Sequence, residues 1–376
     1  MWRRFFQYKY FIGIFLALLV LGLGTLWSST SIYELPLAGV QNATTKRNAP
    51  EHVPTPESVK AIYMTSWIAG SPNLRRDLVD FIDSSEANSI VIDIKDYSGK
   101  VAFVMDDSVV ASFEPFDKRM PDIENFIKEL HKKNIYVIGR ISVFQDPHAT
   151  RVRPDLAVTD KRGGVWKDRK KLSFIDPGAR EYWNYIVHMA KGSYAIGFDE
   201  INFDYIRFPS DGVLANATYP HTGSRPKADV LEDFFTYLER ELEGTGIITS
   251  ADLFGLVTWA VDDLGIGQVL ERAAPHFDYV APMVYPSHYA SGFQNFSNPA
   301  EHPYEIILTS MELAAFRLKQ IGEPKEKLRP WIQDFDLGAE YGAREIHLQK
   351  KGVYDAGLTS WMSWDSSNHY TKEAYR

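Results

Sequence analysis

The chain has 376 residues, of which 45% are hydrophobic and 24% charged, a composition that excludes disorder for most of its length and suits one large or two medium globular domains. Five of its 41 basic and three of its 49 acidic residues precede Lys60, so the remainder carries a formal charge of −10, the wrong sign for a phosphate-binding surface; no nucleic-acid partner is expected. The absence of cysteine excludes a disulfide framework and thiol catalysis.

In chain order, Arg3, Arg4 and Lys9 precede an uncharged apolar run over 10–27. No small-residue cleavage site closes the run, so we read 1–27 as an uncleaved transmembrane anchor with its basic flank in the cytoplasm. Residues 28–57, rich in Thr, Ala and Pro, read as a linker, and 58–376 as one extracytoplasmic domain held at the cell membrane by a single pass.

Within that domain, short apolar strands are predicted over 61–67, 89–97, 135–144, 197–208, 247–254, 279–285, 328–335 and 358–365. Helical periodicity fills the intervals over 74–85, 122–133, 179–191, 228–243, 268–274, 303–321 and 339–350. This alternation predicts an α/β fold of the (β/α)8 TIM-barrel type. No G-x-G-x-x-G follows the first strand, which argues against a dinucleotide-binding sheet. An eighth helix is short or missing, and 52–60 is expected to cover the gap.

Strand side chains alternate, so in a barrel one set meets the helices and the other the axis. The fourth strand then turns Ile201, Phe203 and Tyr205 outward and Glu200, Asn202 and Asp204 inward. The second turns Asp93, Lys95 and Tyr97 inward, and the third Arg140 and Ser142. Deeper members of this set are open to two readings, a self-satisfying charge network or part of a site. Asp204 stands near the C-terminal end of its strand, where barrel enzymes build their active sites.

Seven ordered motifs carry a resemblance: AIYMTSW (61–67), IDIKDYSG (92–99), GFDEINFDYIRFP (197–209), SADLFG (250–255), PMVYP (282–286), PWIQDF (330–335) and WDSSNHY (364–370). Together they resemble a bacterial family of glycoside-hydrolase-like domains, domain of unknown function 4015. More distantly, Asp199, Asn202 and Asp204 look like the first three positions of the D-x-x-D-x-D-x-E signature of family 18 chitinases. The fourth, where those enzymes carry their acid, is Ile206, so their mechanism does not transfer.

The resemblance implies a glycosidase barrel with its carboxylates placed differently. Glycoside cleavage needs an acid at the leaving oxygen and a second carboxylate opposite it. Asp204 is expected as nucleophile or base; for its partner the strand ends offer Asp252, Asp96, Asp334 and Asp365, of which Asp252, at the tip of the fifth strand, is taken as the acid. Candidate substrate contacts are Trp67, Asp96, Arg140, Asp199, Glu200, Asn202, Arg207, Tyr285, Trp331, Gln333, Trp364 and Asp365, the aromatic ones as platforms for sugar rings. The basic run 161–171 in the loop after the third strand is a candidate wall for anionic glycans. The expected partner is a polysaccharide or oligosaccharide, with no metal or cofactor. The competing reading is a catalytically silent barrel that binds glycan at the cell surface.

Overall fold

The computed structural model describes residues 50–376. The expected membrane anchor and most of the expected linker lie outside the described residues, among which no helix is long and apolar enough to cross a membrane.

Eight parallel strands close into a barrel: β1 (Lys60–Met64), β2 (Ser89–Lys95), β3 (Tyr136–Ser142), β4 (Glu200–Asp204), β5 (Ile248–Phe254), β6 (Tyr279–Met283), β7 (Trp331–Gln333) and β8 (Trp361–Trp364). Each pairs with its sequence neighbours, and β1 meets β8 through Lys60↔Trp361. Outside the barrel lie α1 (Pro72–Asp83), α2 (Ile123–Lys132), α3 (Arg180–Tyr194), α4 (Lys227–Leu242), α5 (Pro303–Gln320) and α6 (Ala343–Asp355). In α2 the buried residues Ile123, Phe126, Ile127 and Leu130 recur at helical spacing, which lays one stripe on the sheet. The helix expected over 268–274 is a single turn, Leu270–Ala273, followed by a 3-10 turn at Ala274–His276. Pro275 lacks the N–H that would continue it.

The alternation of β2 holds through Asp93. Ile90, Ile92 and Ile94 pack outward in the large core between sheet and helices, while Val91 joins Ala61, Ile138, Ala281 and Met362 on the axis. A register irregularity between Asp93 and Lys95 then turns Lys95 away from the axis, contrary to the sequence expectation. Its ammonium lies 2.8 Å from Asp146 and 3.0 Å from the Tyr182 hydroxyl, both groups of the ion pair fully buried. Tyr97, also expected inward, is exposed.

Residues 52–57, expected as linker, pack on the barrel instead. The His52 ring stacks on Tyr194 at 3.9 Å, the Val53 amide donates to Asp199 at 2.8 Å, and Thr55 bonds the Tyr136 hydroxyl at 3.1 Å. After β8 the described residues end in a 3-10 turn, Lys372–Tyr375. There Tyr375 packs on Phe81 and Trp361, and its hydroxyl donates to Asp334 at 2.8 Å.

Candidate active site

Strand register assembles the site. Asp93, Arg140, Asn202 and Ser250 are successive partners across β2, β3, β4 and β5, so four polar side chains share one level of the axis. Asp204 and Asp252 stand one inward position higher, at the C-terminal ends of β4 and β5. All six are buried.

Arg140 ties this level together. Its Nη1 donates to Asp93 Oδ1 at 2.7 Å, its Nη2 donates to Asp204 Oδ2, and its Nε lies 3.7 Å from Asp252 Oδ2. Its guanidinium also faces the rings of Trp364 at 5.1 Å and Tyr63 at 5.7 Å. Burial works against the charge on Arg140, but Asp204 and Asp93 raise its pKa well above the ordinary value. Burial also raises Asp93, in spite of Arg140 and the hydroxyl of Tyr63.

Asp252 is in a different position. Its Oδ1 accepts from Asn202 Nδ2 at 2.9 Å and from Trp331 Nε1 at 2.7 Å. Burial, then repulsion from Asp204, push its pKa up to about 8, and the hydrogen bonds and Arg140 offset this only in part. With Oδ1 accepting two N–H bonds, the retained proton belongs on Oδ2. Asp204 accepts from Arg140 and from the Tyr205 amide. Two neighbouring carboxylates thus share one guanidinium, and burial raises the pKa of Asp252.

Above them opens a cavity of about 500 Å³. Of the sequence candidates, Arg140, Asp204, Arg207, Asp252, Tyr285, Trp331 and Trp364 line it. Asn202 lies directly beneath, bonded to Asp252 and to Ser250.

Six candidates lie elsewhere. Asp199 accepts from the Val53 and Val137 amides and from His131 at the N-terminal end of β4, the floor of the barrel. Glu200 pairs there with Arg329 at 2.6 Å and accepts from Tyr136 at 3.0 Å. Trp67 is exposed and stacks on the guanidinium of Arg119 at 4.5 Å, and Asp96 pairs with the same Arg119 outside the cavity lining. Gln333 is sealed, joining Ser287 to the end of β7. Asp365 closes a turn with Ser367 and faces a neighbouring hollow that shares Trp364 and His288 with the main cavity.

The structure adds residues that the sequence reading missed. Tyr205, expected to face the helices, lines the cavity because its φ of 52° breaks the alternation just after Asp204. Ile206 then takes the outward position in the core. Phe254, His288 and Tyr289 also line the cavity, and of the basic run 161–171 only Lys170 does. The run belongs to a folded loop: Trp166 is buried with Val158 and Phe174, and Thr159–Asp160 pairs antiparallel with Ala217–Thr218.

A search of curated proteins found no significant match. Among solved structures, a hypothetical protein from Ruminiclostridium thermocellum ATCC 27405 is 33% identical over 55% of this chain and 98% of its own, with a TM-score of 0.47. The PgaB (BpsB) glycoside hydrolase domain from Bordetella bronchiseptica superposes with a TM-score of 0.60 over 84% of this chain and 97% of its own, at 14% identity. Alpha-L-fucosidase isoenzyme 2 from Paenibacillus thiaminolyticus does so with a TM-score of 0.58 over 85% of this chain and 49% of its own, at 11% identity. At such identities the last two share the fold alone. Residues 61–370 match the family described as "Putative glycosyl hydrolase domain", a span that includes all the cavity-lining residues named above, and the chain belongs to that family of glycosidase domains.

Proposed function

We propose that the chain cleaves a cell-surface or extracellular polysaccharide with Asp204 and Asp252 as its two carboxylates. The observation that carries the reading is their placement: adjacent strand ends, one cavity, one shared guanidinium, and aromatic walls from Tyr285, Trp331 and Trp364. Asp252, protonated on Oδ2, gives its proton to the leaving glycosidic oxygen. Asp204, bonded to Arg140 and the Tyr205 amide, attacks the anomeric carbon or takes a proton from the attacking water. Asn202 and Trp331 orient Asp252 by occupying its other oxygen.

The test is release of reducing ends from bacterial wall and capsule glycans by the chain and by Asp204→Asn and Asp252→Asn. Release by the parent and its loss in both variants supports the mechanism. Release undiminished in Asp204→Asn removes that residue from it. Glycan binding without release supports the silent barrel, a reading that Ile206 favours, because it puts a buried apolar side chain where chitinases carry their acid.

The apolar run 10–27 behind a basic flank supports an extracytoplasmic barrel on a single-pass anchor. Partition of the full chain into membranes that resist alkaline carbonate, with the barrel open to added protease on the outer face, is the expected result. Recovery in the soluble fraction would remove the anchor.

A further inference from the structure

Five arginines are buried among the described residues. Arg75 pairs with Asp122, Arg140 with Asp93 and Asp204, Arg317 with Glu271 and Arg329 with Glu200. Arg207 alone has no carboxylate within ion-pair distance among the described residues, although it is only 8% exposed. Its one hydrogen bond there runs from Nη1 to the Phe208 carbonyl at 3.1 Å, which leaves most of its five-donor fork without a partner.

The guanidinium is held by rings, 4.7 Å from Phe254, 5.1 Å from Tyr205 and 5.9 Å from Phe174. Cation–π contacts fix its position but return little of what a buried charge loses in leaving water. Burial lowers its pKa, and Tyr205, Asp204, Asp211 and Asp168 act on it only through space. The other four buried arginines meet this cost with an anion from the protein; Arg207 faces the cavity instead. Lys170, exposed on the same wall, likewise has no ion-pair partner among the described residues.

We propose that Arg207, with Lys170 at the rim, is an oxyanion subsite, so that a sugar unit bound in this cavity carries a carboxylate or phosphoryl group. The proposal rests on the reading of the cavity as a glycan site. A planar guanidinium fork receives a planar carboxylate through two parallel bonds, and it takes phosphoryl oxygens as well. Asp204, three residues earlier, repels an anion from the point of cleavage, which places the charged substituent on the Arg207 side. On a domain of formal charge −10, such a local cationic pair is what admits an acidic glycan.

The experiment uses the full chain in mild detergent, titrated with glucose, glucuronate and glucose 6-phosphate at matched ionic strength, with the melting temperature giving apparent affinities. At least one charged sugar is expected to bind roughly tenfold more tightly than glucose, the better of the two naming the anion. The ratio should fall close to one in Arg207→Gln and part of the way in Lys170→Ala. Equal shifts with all three sugars, no shift with any, or a preference that survives Arg207→Gln would overturn the subsite.

Removing an unpaired buried charge should leave the ligand-free Arg207→Gln melting at or above the parent. If that variant does not fold, Arg207→Lys keeps the charge without the fork: a weakened preference supports the subsite and an unchanged one overturns it. The titrations read binding and not cleavage. No anion preference in a parent chain that releases reducing ends sinks the subsite alone, and a parent preference that Arg207→Gln removes, with release unaffected by Asp204→Asn, sinks only the hydrolase mechanism.

Discussion

Burial and a like charge nearby each favour the protonated form of an aspartate, and Asp252 has the two. If it is the acid, reducing-end release falls as pH rises through about 8, where Asp252 ionises. Asp252→Asn should remove that limb and lower the rate by roughly 10²–10⁴, measured as a pH–rate profile. The same shift bears on stability. The folded form holds a proton that the unfolded chain releases near pH 4, so the contribution of Asp252 is greatest below that point and declines as pH rises to about 8. Melting temperature followed across that window should fall in the parent more than in Asp252→Asn. Arg140 is exposed to the opposite hazard. Arg140→Met strands Asp93 and Asp204 in the interior, and urea unfolding should show a loss of about 3–5 kcal/mol.

The fourth strand shows where a rule of alternation holds and where it ends. Glu200, Asn202 and Asp204 were legible from period two alone, and strand register then places Asn202 beside Ser250 and Arg140. Tyr205 was not legible, since no glycine marks its left-handed backbone; the signal is local, the Asp204 side chain accepting the next amide. That conformation costs a non-glycine residue roughly 1–2 kcal/mol. Tyr205→Gly is therefore expected to be more stable than Tyr205→Ala by about 1 kcal/mol in urea, both lacking the ring. The second strand failed for a related reason: the irregularity after Asp93 moves Lys95 to Asp146, a pairing that adds a residue from a distant loop. The basic run misled because charge density says nothing of which lysine a folded loop turns inward, and only Lys170 faces the cavity.

At the scale of the molecule, eight strands separated by helical periodicity were enough to read a closed barrel, since apolar strands bury their outer faces against a surrounding layer of helices. What covers the ends was less legible. Residues 52–57 look like linker because the segment has no period of its own, and its bonds go to Asp199 and Tyr136, far away in sequence. After β8 the chain is anchored by one aromatic residue, Tyr375, together with Thr371, both bonded to Asp334. Deletion of 372–376 uncovers Phe81 and Trp361 and should cost about 1.5–3 kcal/mol, read as a lower melting temperature in scanning calorimetry.

The Lys60↔Trp361 pairing has a consequence for biosynthesis. A ribosome delivers β1 first, and its partner on one side is the last strand made. Until then the nascent sheet carries two open edges, the kind of surface that recruits other strands. Chaperone dependence during synthesis, and a refolding rate set by a single late closure, are the expected marks of that order.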